Sequence, residues 1–187
     1  MLLERNSKTF NLIINALIRN EVLAILCDTI YGFVGRAPDT EDKIRQIKGR
    51  GETKPFLQLV SGTDMAEKAG ALLPESDILD LWPGPFTFIF NMKNGGTSAF
   101  RMPADRRLRE IVENTGAPVF STSVNTAGMP PVNNPEIIDK KFGKYILFTE
   151  DSGLAVNRLP STIVDLTSSK AVIIREGAGI VPEKFLV

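Results

Sequence analysis

The sequence has no histidine and a single cysteine, Cys27. The first absence excludes a Ser-His-Asp or Cys-His nucleophilic site and every His-ligated metal centre. The second excludes an intramolecular disulfide and a cysteine-rich zinc site, and fits a reducing, cytoplasmic setting. Net charge is missing too: 22 basic and 22 acidic residues cancel. The composition therefore does not mark a dedicated nucleic-acid binder, although it leaves room for a local basic patch. No apolar run approaches the ~18 residues that cross a bilayer, so no membrane association is expected. The opening MLLERNSKTF lacks the apolar core of a signal peptide. Chemistry must then run on lysine, arginine, carboxylates, hydroxyls and backbone, with any magnesium held mainly by a phosphate substrate. Zinc, haem and flavin are not expected, and no side chain is assigned to a metal.

What is present is an ordinary globular chain. Its 187 residues, 43% hydrophobic, fit one domain spanning 1–187 with a real core. SKTFNLIINALIRN places Phe10, Ile13, Ile14, Leu17 and Ile18 at helical spacing, capped by Asn6 or Ser7. EVLAILC reads as a buried strand, followed by a loop, DTIYGFVGRAP. DTEDKIRQIKG reads as a helix capped by Asp39 or Thr40 and closed near Gly49. Further helices are expected in GTDMAEKAGALL, PESDILDL, DRRLREIVENTG and PEIIDKKFG. Strands are expected in PFLQLV, FTFIF, SAFRMP, PVFSTS, YILFT, STIVDL and AVIIRE, with WPGP as a breaker. Alternating strands and helices predict an α/β fold around a twisted, mixed sheet.

Polar residues recur at the ends of the expected strands: Asp28-Thr29, Arg101, Ser121-Thr122-Ser123, Ser161-Thr162 and Arg175. Ligands of open α/β sheets bind outside strand ends, so these residues are candidates for one pocket. Lys48, Arg50 and Lys54 in IKGRGETKP bring three cations together with glycines between them. That arrangement suits a polyphosphate, and equally a solvated charged loop. Ser121, Thr122, Ser123 and Asn125 in STSVN suit phosphate or carboxylate oxygens, and equally a turn. Thr97 and Arg101 share a face of one strand. Asp28 is a candidate acid or metal contact, or a turn carboxylate. Cys27 has no histidine to activate it as a nucleophile.

The segments DTIYGF, IKGRGETKP, WPGPFTFIF, RMP, STSVNTAGMPP, STIVDL and IREGAG occur in an order that resembles the threonylcarbamoyl-AMP synthases, the YrdC-like family, from about Val22 to Gly179. The resemblance implies a YrdC-like twisted α/β sheet with a concave, positively charged cavity. It implies a nucleotidyltransferase that joins L-threonine, bicarbonate and ATP into threonylcarbamoyl-AMP and pyrophosphate. The product serves tRNA threonylcarbamoyladenosine modification at position 37, through downstream transfer proteins. The chain is similar to the short, single-domain form.

Carried over by motif, Thr29, Arg101, Ser121 and Ser161 are expected around threonine, with Arg101 on its carboxylate. Lys48, Arg50 and Lys54 are expected on the ATP phosphates. Thr97, Ser123, Asn125, Pro131 and Arg175 complete the nucleotide contacts, and Lys48, Arg50, Lys54, Ser123 and Asn125 form the catalytic set. Two positions depart from the family: Cys27 replaces a threonine, and Leu59 stands where some relatives have a histidine. An alternative of the same fold is a nucleotide- or double-stranded-RNA-binding module without synthase activity.

Overall fold

Helices in this chain repeat their apolar side chains every three or four residues, whereas strands alternate where one face meets solvent or a cavity and run apolar where both faces are covered. The structure is a computed structural model that describes residues 1–49, 55–155 and 158–186. Among the described residues, ten strands form one sheet: β1 Leu2–Glu4, β2 Leu23–Cys27, β3 Ile30–Arg36, β4 Leu57–Leu59, β5 Phe86–Asn91, β6 Thr97–Arg101, β7 Val119–Ser123, β8 Thr149–Asp151, β9 Thr162–Asp165 and β10 Val172–Arg175. Their order is β1-β8-β2-β3-β7-β4-β6-β5-β9-β10. Pairing is mixed: β2–β3, β3–β7, β4–β7, β5–β6 and β9–β10 are antiparallel, and β1–β8, β2–β8, β4–β6 and β5–β9 are parallel.

Among the described residues, five α-helices flank the sheet: α1 Ser7–Ile18, α2 Glu41–Lys48, α3 Thr63–Lys68, α4 Arg106–Thr115 and α5 Pro135–Phe142. Side-chain caps begin three of them. Asn6 accepts from Thr9 N, Asp105 from Leu108 N and Asn134 from Ile137 N, each satisfying a backbone donor that the first turn leaves unpaired. Gly49 and Gly116 end α2 and α4 in the left-handed conformation, with φ of 59° and 72°. PESDILDL gives only a 3-10 turn, Asp77–Leu81.

The two sheet faces are covered differently. On one, Phe33 and Phe120 pack with Ile44, Ile138 and Phe142 of α2 and α5, while Phe86, Phe88, Phe90 and Phe100 pack with Trp82 and Ala66. Edge-to-face contact between Phe33 and Phe142, with centroids 5.1 Å apart, adds to the burial. On the other face, Leu23, Ile25, Val34, Leu59 and Val119 lie under Ile13, Ala16 and Leu17 of α1 and Leu108, Ile111 and Val112 of α4. These two helices cover only part of that face.

The segment read as the loop DTIYGFVGRAP is instead largely β3, paired with β2 through Cys27↔Ile30 to Leu23↔Val34. Its two glycines disguised a strand buried on both faces, which has no polar alternation to reveal it. The expected strand YILFT shifts to Thr149–Asp151, because Tyr145 to Phe148 lie in the turn that follows α5.

Candidate functional site

Where α1 and α4 stop, the sheet face opens into a cavity of about 300 Å³. It therefore lies on the face of the sheet and not beyond its strand ends, as the sequence pattern suggested. Alternation selects its lining: Leu57 of β4, Thr87 of β5, Ala99 and Arg101 of β6, Ser121 and Ser123 of β7, and Ile163 of β9. Ser161, just before β9, and Arg175 at the end of β10 complete one wall. Thr29 enters from the tip of the β2–β3 hairpin.

Arg101 is 2% exposed, and its buried charge needs compensation. Its Nη2 donates to Asp28 Oδ2 at 2.8 Å and its Nη1 to Thr29 Oγ1 at 3.1 Å. Burial pulls the guanidinium below its ordinary pKa, and the Asp28 carboxylate opposes that pull. Arg175 donates to Ser161 O at 2.7 Å and reaches Ser161 Oγ at 3.5 Å. Burial, reinforced by the like charge of Arg101, lowers its pKa as well. Ser161 Oγ and Thr87 Oγ1 share a hydrogen bond of 2.8 Å. The cavity thus presents two cations and several hydroxyls, a set suited to a small anionic ligand that also carries hydrogen-bonding groups.

Lys48 is buried and does not line the cavity. Its ammonium donates to Ser123 O at 2.5 Å, Asn125 O at 3.2 Å and Asn125 Oδ1 at 2.5 Å. Ser123 Oγ also donates to Asn125 Oδ1, at 3.0 Å, and Asn125 Nδ2 donates to Met129 O. Lys48 therefore braces the STSVN turn from behind, and of Ser123 and Asn125 only Ser123 lines the cavity.

The structure brings together Thr29, Arg101, Ser121, Ser123, Ser161 and Arg175 of the expected residues. Thr97 is exposed at the opposite end of β6 from Arg101, and Pro131 is exposed; neither lines the cavity. Arg50 and Lys54 lie outside the described residues. Leu59 belongs to the core beneath α1 and α4. Cys27 lines the cavity floor, but burial pushes its thiol pKa up to about 11, so it is no nucleophile at neutral pH.

Sequence reasoning missed Thr87, Tyr31 and the role of Asp28. Thr87 is the polar residue inside the aromatic strand FTFIF, a signal that alternation could have caught. Tyr31 Oη donates to Gly153 O at 2.9 Å and accepts from Ser152 N at 2.8 Å, tying the cavity wall to the segment after β8. Next to Tyr31, a Cβ on Gly32 would stand 2.9 Å from Cys27 Sγ and 3.0 Å from Ser121 Oγ, so this floor position admits only glycine without a shift.

Among the described residues, no group of three or more histidine, cysteine or acidic side chains is placed to hold a metal ion. Nor is any described helix long and apolar enough to cross a membrane.

Comparison with known proteins bears on this site. The family model Sua5_yciO_yrdC, described as "Telomere recombination", matches residues 15–177. A threonylcarbamoyl-AMP synthase of Pyrococcus abyssi is 28% identical over 84% of this chain and 50% of its own length. One of Bacillus subtilis is 27% identical over 90% of this chain and 53% of its own length. The chain thus spans about half the length of these two relatives. A putative threonylcarbamoyl-AMP synthase of Methanocaldococcus jannaschii is 26% identical over 93% of this chain and 88% of its own length. Among solved structures, P. abyssi Sua5 complexed with L-threonine superposes with a TM-score of 0.84 at 21% identity, over 95% of this chain and 57% of that one. E. coli YciO superposes with a TM-score of 0.85 at 21% identity, over 100% of this chain and 99% of that one. At these identities the superpositions speak for the fold.

Proposed function

The chain belongs to the Sua5/YciO/YrdC family, and from that premise we propose that it is an L-threonylcarbamoyladenylate synthase, a nucleotidyltransferase acting on L-threonine, bicarbonate and ATP. The observation that carries this reading is Arg101, a buried guanidinium at a small cavity ringed by Thr29, Ser121, Ser161 and Thr87. A planar cation surrounded by hydroxyls suits a hydroxy-amino acid: the carboxylate meets Arg101 and the side-chain hydroxyl meets a serine or threonine.

The chemistry is compatible with a chain that has no histidine. The amine of threonine and bicarbonate condense to a carbamate with loss of water. An anionic carbamate oxygen attacks the α-phosphorus, and the bond to the pyrophosphate oxygen breaks. The nucleophile arrives already charged, so the protein's task is orientation and charge compensation. In this reading Arg50, Lys54 and Arg175 meet the nucleotide. Ser123 and Asn125 approach the phosphates from the turn that Lys48 braces, and Thr97 and Pro131 lie further out along the nucleotide. A magnesium ion, if bound with the nucleotide, would supply charge compensation for the phosphates. No described side chain is assigned to it, and Asp28 is already engaged by Arg101 and Ala104 N. The product serves tRNA modification at adenosine 37 in the cytoplasm, through downstream transfer proteins.

The test is pyrophosphate release from ATP with and without L-threonine and bicarbonate, in the wild type and in Lys54→Ala. Release that requires both co-substrates and is lost in the variant is expected. ATP binding without such release overturns the synthase reading in favour of a binding module.

A further inference from the structure

Asp28 occupies the tip of the β2–β3 hairpin, where Cys27 pairs with Ile30. Its φ is +66°, a left-handed conformation that few residues other than glycine, asparagine and aspartate adopt. Thr29 N closes the turn on Cys27 O at 2.7 Å. Three further contacts fix Asp28. Its Oδ2 accepts from Arg101 Nη2 at 2.8 Å and from Ala104 N at 3.0 Å, and its main-chain oxygen accepts from Arg158 Nη1 at 2.7 Å. Only one of the three involves Arg101, so the carboxylate is held in place independently of the group it pairs with.

Arg101 has five N–H groups. One on Nη1 goes to Thr29 Oγ1 and one on Nη2 goes to Asp28 Oδ2, while Nε is enclosed with no acceptor among the described residues. Among the described residues one N–H on each terminal nitrogen therefore has no acceptor, which leaves two donors for a ligand carboxylate. We propose that Asp28 is a positioning residue for Arg101: together with Thr29 it orients the guanidinium and leaves one N–H on each terminal nitrogen for the substrate carboxylate. This rests on the synthase reading for the identity of that substrate. An unpaired buried guanidinium would be strongly destabilised and would seek solvent. The Asp28 contact keeps it charged and in place before the ligand arrives, so less ordering remains to be done on binding.

The alternative role for such a carboxylate is competition, with Asp28 sitting where the ligand carboxylate must go. The two roles have opposite signs. Asp28→Asn retains an oxygen acceptor and tolerates φ > 0 but removes the charge. If Asp28 positions Arg101, this variant raises the KM for threonine about tenfold, the loss of one charge-assisted hydrogen bond, with kcat and the KM for ATP within about twofold. A second readout needs no substrate. In 15N-resolved spectra the Arg101 Nη–H signals are expected to be separated by hindered rotation in the wild type and merged in Asp28→Asn. A threonine KM that is unchanged or falls, or Arg101 signals identical in both proteins, overturns the proposal. Absence of threonine-dependent turnover in the wild type overturns the synthase reading instead, and the Arg101 signals still report on Asp28.

Discussion

Two halves of one sheet face, built from the same strands, have opposite characters. Along β7, Val119 is packed beneath α1 and α4, whereas Ser121, two residues on and pointing the same way, borders the cavity. β3 repeats the change from Val34 to Gly32, and β4 from Leu59 to Leu57. The backbone pairing is continuous through the change, with Leu59↔Val119 followed by Leu57↔Ser121. What differs is helix cover. Under the helices a side chain must be apolar or fully satisfied, and beyond them a hydroxyl or guanidinium can serve a ligand. The site is the uncovered remainder of a core surface, which explains why Arg101 can be almost wholly buried and still line a cavity.

The strongest way to break the comparison is to remove the charge at the boundary. On the synthase reading proposed above, Arg101→Ala is expected to abolish threonine-dependent turnover, by a factor on the order of a thousand or more, because the guanidinium proposed to meet the carboxylate is lost together with its preorganisation. It also leaves Asp28 without its cation; since that carboxylate is 22% exposed and keeps Ala104 N, the cost in stability is expected at about 1–3 kcal/mol. Steady-state kinetics and chemical denaturation read the two effects separately.

Next in size is Lys48→Met, which keeps the apolar stem and removes the ammonium. Ser123 O, Asn125 O and Asn125 Oδ1 then lose a shared donor, a loss of about 2–3 kcal/mol. Since Lys48 acts through the turn, the KM for ATP is expected to rise at least tenfold while that for threonine changes little. Equal changes in both constants would show that the turn does not separate the two substrates.

A paired exchange along β7 sharpens the contrast itself. Val119→Ser puts a hydroxyl under the helices and is expected to lower stability by about 2–4 kcal/mol with little change in the KM for threonine. Ser121→Val, one step along the same face, is expected to raise that KM several-fold and leave the denaturation midpoint nearly unchanged. If both variants lose stability alike, the helix cover does not divide this face.

How much of this was legible in the sequence follows from where each signal is local. The helices α1 and α4 were readable because Ile13, Leu17, Leu108, Ile111 and Val112 repeat at helical spacing and Asn6 and Gly116 punctuate them. Thr29, Arg101, Ser121 and Ser161 were found as polar residues next to apolar runs. Their gathering on the sheet face was not readable, because it depends on the non-sequential strand order and on where two helices stop. β3 was hidden because burial on both faces erases alternation. Asp28 was ambiguous in sequence since its role is set by Arg101, a residue 73 positions away. Lys48 was assigned to phosphates from its neighbours in IKGRGETKP, whereas its partners sit 75 and 77 positions on.

The smallest effect at neutral pH is expected at Cys27, which lies at the edge between the two halves, packed with the core beneath α1 and α4 and lining the cavity floor. Replacing it with serine should leave turnover within about twofold, since a neutral thiol performs no chemistry here. Its contribution appears only with rising pH. Burial raises the thiol pKa from 9.0 to about 11 in the folded protein, so between these values the unfolded chain has released a proton that the folded chain retains. Stability therefore falls as pH rises through this window, and below pH 9 the full contribution is present. The wild type is expected to lose on the order of 2–3 kcal/mol more than Cys27→Ser between pH 9 and 11. Parallel denaturation curves at pH 8 and 10.5 measure the difference, which cancels the titration of lysines and tyrosines common to both proteins. Equal losses would mean that the thiolate is tolerated, and that the cavity's cations reach the floor strongly enough to hold it ionised.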